Sequence, residues 1–328
     1  LFNREVQFFV FPVWDLKKMR IFKLRFLIQV ASTFFQNSSF QFLTTKGPYT
    51  GFLKSFCSFG LNCYSCPMAW FSCPLGIIQN LFASLRSLPT QLFISAFAYS
   101  LGLILLMSLA LGRVICGWLC PFGLFQELLY RIPFYKREIL LPYSLQRYLK
   151  HLFLIIFVIL LPFLYLTEIG YGLVWFCKFV CPAGTLEAGY LNLILQPHLT
   201  KNIGLTFYLK TALLFGFLIL CIVDLRFFCK NICPLGLIYG IFNKYGLFRL
   251  RWSEKKCTLC GACEKICPMG LRIPKDLNSV ECIRCLNCLS LCPSEAIVLD
   301  KSLFYLPHVD LISITIKELK HAKKEGRF

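Results

Sequence analysis

Two runs of cysteine near the C-terminal end have a spacing that leaves little choice of chemistry. The first is Cys257, Cys260, Cys263 and Cys267, followed by Pro268; the second is Cys282, Cys285, Cys288 and Cys292, followed by Pro293. Three closely spaced thiolates can wrap one corner of an iron–sulfur cube, and a fourth ahead of proline reaches across to a second cube. Cys257, Cys260, Cys263 and Cys292 are therefore expected at one 4Fe–4S cluster (cluster 1). Cys282, Cys285, Cys288 and Cys267 are expected at another (cluster 2). Zinc takes four ligands, usually as two Cys-x-x-Cys pairs, and fits two complete runs ending in Cys-Pro badly.

A second set of motifs lies upstream. Cys116 and Cys120, Cys177 and Cys181, and Cys229 and Cys233 each read Cys-x-x-x-Cys-Pro and continue as Pro-x-Gly into an apolar stretch. An irregular version holds Cys63, Cys66-Pro67 and Cys73-Pro74-Leu75-Gly76. The Cys-Pro-x-Gly ends at 73, 120, 181 and 233 recur after about 50 residues, which reads as an internal repeat. Each unit would be a span, a cysteine motif and a short interfacial helix. Proline suits the first helical turn, so each helix would aim its N–H groups and positive dipole at a thiolate. That stabilises an anionic cluster in a low dielectric. Disulfides or inert buried thiols are the plainer alternative. Cys221 lies inside an apolar stretch and is expected only to pack.

The elements that must carry these cysteines are hydrophobic. Of 328 residues, 57% are hydrophobic, with mean hydropathy +0.65 and net charge +19, against about 45–50% apolar for soluble domains. Nineteen cysteines in so apolar a chain argue against a small, polar disulfide scaffold. Four stretches, 26–44, 88–112, 151–167 and 203–223, are long enough to cross a hydrocarbon core of about 30 Å. The first is diluted by Gln29, Ser32, Thr33, Gln36, Asn37 and Gln41, so an interfacial helix is its alternative. Lys plus Arg number six in 1–25, three in 45–87, six in 113–150, two in 168–202 and seventeen in 224–328. By the positive-inside rule both termini are cytoplasmic, and the basic charge needs no nucleic acid. No cleavable signal peptide is expected from the charged N-terminal segment.

The expected fold is an all-α membrane bundle of four transmembrane helices with internal pseudo-repeats, joined to an α+β two-cluster ferredoxin domain. The domains would be a basic cytoplasmic segment (1–25), the membrane domain (26–250), the ferredoxin domain (251–300) and a tail (301–328). Cys116, Cys120, Cys229 and Cys233 fall at one face and are expected at a third cluster. Cys177 and Cys181 fall at the other, where Cys66 and Cys73 would complete a fourth; Cys63 is the alternative and Cys57 a spare. Haem has no plausible histidine pair among His151, His198, His308 and His321. No glycine pattern for NAD, flavin or nucleotide appears.

At the motifs 116–120, 177–181 and 229–233 and in the two C-terminal runs, the chain resembles the membrane polyferredoxins of the NapH, NosR and CcoG type. The resemblance covers roughly residues 90–300. The family usually carries two Cys-x-x-x-Cys-Pro motifs; this chain has three, plus the 57–73 group. The resemblance implies an electron-transfer subunit of an oxidoreductase complex in the cytoplasmic membrane, without turnover of its own. It would pass electrons between cytoplasmic-side clusters and a quinone or a partner enzyme. Alternatives are a quinol dehydrogenase, with quinone near the polar first span or Glu168, and a metal-reducing assembly factor.

Overall fold

The computed structural model describes residues 16–136, 143–168, 170–246 and 248–300. The expected tail 301–328 and the first fifteen residues of the basic segment lie outside them. The described chain is mostly helical and ends in a small α+β unit.

Two helices are long and apolar enough to cross a membrane: Thr90–Leu111, with mean hydropathy 2.2, and Leu205–Val223, with 2.1. At 1.5 Å per residue they reach about 33 and about 28 Å. Only 11% and 17% of their apolar windows are buried, so most of their Leu, Ile and Phe side chains face outward. Such a surface belongs against another apolar medium.

The other two expected stretches fold differently. The first gives the helix Leu16–Gln36, ten residues earlier than the uncharged stretch. It ends where Asn37 Nδ2 and Ser38 Oγ bond back to the Thr33 and Phe35 carbonyls at 3.2 Å, competing with the helical ladder. It also contains Arg25, which is buried. The third runs as Tyr143–Leu152, a π-helical turn Phe153–Leu160, and Leu161–Leu164. Its apolar part, Tyr148–Leu164, is shorter than a spanning helix.

Three short helices, Pro74–Ala83, Pro121–Tyr130 and Pro234–Ile241, start on the proline after a cysteine. Cys73, Cys120 and Cys233 are the residues capping them. After Cys181 and Pro182 the equivalent segment, Gly184–Tyr190, is π-helical.

In the C-terminal unit, strands β1 (Arg249–Trp252) and β2 (Ile297–Asp300) pair antiparallel, from Arg249 opposite Asp300 to Trp252 opposite Ile297. Both cysteine runs lie between them in sequence. The core is continuous: Leu61, Leu75, Ile115, Phe122, Val158, Phe228 and Leu235 join Leu250, Met269, Leu271, Ile283 and Ile297 in one buried cluster. The C-terminal unit therefore packs on the helices.

Candidate iron–sulfur centres

The two C-terminal runs repeat one backbone. Leu259 and Arg284, each just before the second cysteine, have φ of 53° and 47°; Gly261 and Leu286, just after it, have 68° and 63°. Left-handed backbone costs an ordinary residue about 1–2 kcal/mol, so a cluster-wrapping turn is being held in both. Cys267 crosses over to join Cys282, Cys285 and Cys288 around one narrow cleft, walled by Leu250, Met269, Leu271 and Ile283. The remaining run faces outward. Cys260 is exposed, and Cys257, Cys263 and Cys292 are half-buried. Cys263 lies in the field of Cys260, and the Ala296 N–H donates to Cys292 Sγ at 3.3 Å.

An inner group forms where the two long helices end. The short helices Val114–Trp118 and Phe227–Asn231 follow them and bring Cys116 and Cys120 against Cys229 and Cys233. All four are buried, and Cys120 and Cys233 each feel the other thiols of the group. Two ion-pair triads flank it. Glu127 accepts from Arg25 at 2.9 Å and Arg226 at 2.7 Å; Arg226 also donates to the Cys116 carbonyl at 2.7 Å. Glu281 accepts from Arg113 at 2.6 Å and from Lys150. Burial would raise the Glu281 pKa, but Arg113 and Lys150 hold it at about 2. Each carboxylate carries two cations, so each triad leaves one positive charge over.

An outer group gathers Cys63, Cys73, Cys177 and Cys181 around a cavity of about 190 Å³, with Asn62, Tyr64, Lys178 and Lys210. The Cys63 N–H donates to the Glu187 carboxylate. Cys66, expected at this group, does not line the cavity. Lys54 Nζ bonds the Cys66 and Ala69 carbonyls at 3.3 and 2.7 Å, and it is Cys63 of this loop that lines the cavity. Cys57 is buried beside Cys73.

The groups do not sit a membrane thickness apart, as the sequence suggested for the two upstream ones. The Leu61 N–H donates to Cys120 Sγ at 3.4 Å, and Cys63 is two residues further on. Extended backbone covers at most about 3.6 Å per residue, so the inner and outer groups are neighbours. The loop 57–73 folds in between them, which hydropathy could not reveal. Gly117 similarly joins the inner group to the C-terminal unit: a Cβ there would lie 2.5 Å from the Ile283 carbonyl oxygen and 3.7 Å from Cys285 Cα.

These residues fit iron–sulfur clusters. All nineteen cysteines are free thiols. The Gly184 N–H donates to Cys181 Sγ at 3.4 Å, and those of Gly76, Gly123 and Gly236 face Cys73, Cys120 and Cys233. The glycine of Cys-Pro-x-Gly thus supplies the capping N–H. The surplus positive charge beside the inner group offsets an anionic cube. Tyr239 is fully buried and its hydroxyl has no partner; it lies in the field of Cys57, Cys73, Cys116 and Cys120.

Sequence comparisons agree with this chemistry. A family described as 4Fe-4S binding domain matches residues 94–142, 151–196 and 209–256, and a second 4Fe-4S binding domain family matches 250–271. An uncharacterised protein of Methanocaldococcus jannaschii is 34% identical over 59% of this chain and 74% of its own length. The ferredoxin-type protein NapH of Haemophilus influenzae is 28% identical over 76% of this chain and 82% of its own. The methylamine utilization ferredoxin-type protein MauN of Methylorubrum extorquens is 30% identical over 59% of this chain, which spans 62% of that relative. No solved structure matches. With these motifs and relatives, the chain belongs to the NapH-like polyferredoxins, ferredoxin-type proteins that bind 4Fe–4S clusters and transfer electrons.

Proposed function

We propose that the chain is an electron-transfer subunit of a membrane redox complex with four 4Fe–4S clusters in series. Cys257, Cys260, Cys263 and Cys292 would hold the first, and Cys282, Cys285, Cys288 and Cys267 the second. Cys116, Cys120, Cys229 and Cys233 would hold the third, and Cys177, Cys181, Cys73 and Cys63 the fourth. The observation that carries this reading is contiguity. An exposed thiol group leads to a buried one, which meets the inner group at Gly117, which in turn meets the outer group at Leu61. The clusters supply one-electron carriers. The chain positions them, excludes water and compensates their charge.

The membrane placement rests on two transmembrane helices, Thr90–Leu111 and Leu205–Val223, in place of the four the sequence suggested, and keeps the termini cytoplasmic. The two long apolar helices support it, as does the alternation of basic segments. The division into a membrane domain and a ferredoxin domain is kept, with its boundaries moved off 26 and 251, which would cut the helix Leu16–Gln36 and strand β1. A partner redox enzyme would exchange electrons with the chain; relatives bear names that tie them to methylamine utilization.

A quinone is the second reading. A cavity of about 330 Å³ lies between the Pro74–Ala83 and Thr90–Leu111 helices, lined by Tyr64, Ser72, Asn80, Ser84, Ser100 and Tyr171. Tyr64 lines the outer thiol cavity as well, so a quinone head group there would adjoin that centre. Tyr171 lies three residues after Glu168, one of the two positions the sequence suggested, whereas the polar first helix does not line this cavity. Iron and sulfide analysis with EPR on anaerobically purified protein tests the main reading: about sixteen irons are expected, against about eight if only the C-terminal runs are loaded. Quinone-dependent reductase activity of the isolated protein would favour the second.

A further inference from the structure

Gln126 sits in the Pro121–Tyr130 helix and is fully buried beside the inner thiol group. Its side chain makes three contacts. Nε2 donates to the Phe122 carbonyl at 3.3 Å and to Cys229 Sγ at 3.0 Å. Oε1 accepts from Cys221 Sγ at 3.5 Å. These fix which way the amide points. A carbonyl oxygen cannot donate, so the atom facing Phe122 must be the NH₂. That same NH₂ then faces Cys229, and Oε1 is left toward Cys221. An amide oxygen only accepts, so Cys221 must keep its proton and is a thiol, not a thiolate ligand.

We propose that Gln126 is the side-chain donor that raises the reduction potential of the inner centre, and that Cys221 is a positioning residue that holds its amide. The inference rests on the reading that Cys229 ligates a cluster. Reduction adds negative charge that spreads onto the ligand sulfurs. A hydrogen bond to one of them therefore stabilises the reduced state more than the oxidised state. In a buried site such a bond is stronger than in water. Cys221 acts at one remove: without its S–H the amide loses the contact that keeps Oε1 away from Cys229.

The test is an EPR-monitored redox titration of the full-length, anaerobically loaded protein, with the inner signal identified as the one lost in Cys120→Ser. Gln126→Leu is expected to shift that signal's midpoint to more negative potential at unchanged iron content. Cys221→Ala is expected to give a smaller shift in the same direction, and Cys221→Ser, which keeps a donor, is expected to restore the wild-type value. In wild-type protein carrying side-chain ¹⁵N-glutamine, the reduced inner centre should show a ¹⁵N hyperfine coupling that Gln126→Leu abolishes. This coupling decides the matter even if Gln126→Leu sheds iron, because it is read in the wild type. An unmoved midpoint in iron-replete Gln126→Leu, or no ¹⁵N coupling in the wild type, overturns the proposal alone. Iron near eight in wild-type protein, with no inner signal, overturns the underlying reading and the proposal with it.

Discussion

The inner and outer thiol groups are built from the same motif but sit in different electrostatic company. Around the inner group, Arg25, Arg113, Lys150 and Arg226 share two carboxylates. At the outer group the half-buried Glu187 accepts the Cys63 N–H. Burial pushes its pKa up to about 8, whereas Glu281 beside the inner group is held at about 2. Lys178 and Lys210 also line the outer cavity, and Lys210 donates to the Cys177 carbonyl at 3.2 Å. The Cys-Pro-x-Gly motif thus fixes how a thiolate is capped, while residues far away in sequence fix its charge environment. Cations stabilise a reduced, more anionic cluster; those beside the inner group are buried, whereas Lys178 is exposed and Lys210 half-buried, so the inner centre should have the higher potential of the two.

The largest effects should come from the ligands. Cys120→Ser and Cys181→Ser should each remove about four of about sixteen irons, from different EPR signals. Loss from only one of them would collapse the comparison to a single centre. Within the irregular loop the same assay separates the candidates: Cys63→Ser should lose the outer signal and Cys66→Ser should keep it. The opposite result would restore Cys66 as the ligand.

The ion-pair triads come next. Glu281→Gln leaves Arg113 and Lys150 without their shared carboxylate, and breaking a buried pair costs about 3–5 kcal/mol. Thermal unfolding and protease release of the C-terminal unit should both report a loss. Glu187→Gln should change stability by about 1 kcal/mol at most, because an amide oxygen can still accept the Cys63 N–H. Equal losses in the two variants would remove the electrostatic contrast. Gly117→Ala should be intermediate. Its methyl group would press on the Ile283 carbonyl, and overpacking costs about 1–3 kcal/mol.

Much of the site chemistry was legible in the sequence, and its limits have physical causes. The two C-terminal runs and the Cys-Pro-x-Gly ends carry their geometry locally, because ligand, helix start and capping N–H lie within four residues. The ion pairs do not: Arg25 meets Glu127, and Arg113 and Lys150 meet Glu281, across separations no local pattern marks. Hydropathy placed the first helix after Arg25 because it treats arginine as a terminator, whereas here a carboxylate from another helix neutralises it. A signal was present in Glu281, an acid directly before ligand-type Cys282, where an anionic centre would disfavour it unless cations were near. That Cys63 rather than Cys66 lines the outer cavity follows no spacing rule, since both cysteines lie in one short loop. The proximity of the two upstream groups depends on the course of the 57–73 loop.

The smallest expected effect concerns the residue between the two groups. Tyr239 is fully buried with an unpartnered hydroxyl, and it feels Cys73 of the outer group and Cys116 and Cys120 of the inner one. An unpaired buried hydroxyl costs about 1–3 kcal/mol, so a cluster beside Tyr239 would offer it an acceptor. Tyr239→Phe removes one oxygen and keeps the ring, so packing and iron content should be unchanged. Both upstream signals should move to more negative potential, each by less than Gln126→Leu moves the inner one, because Gln126 donates directly to Cys229 Sγ whereas Tyr239 acts on the thiols only through its field. A shift confined to one signal would assign the hydroxyl to that centre and sharpen the contrast between the two. Unchanged midpoints for both would mean that the hydroxyl faces neither cluster and that the groups, though adjacent, are tuned independently.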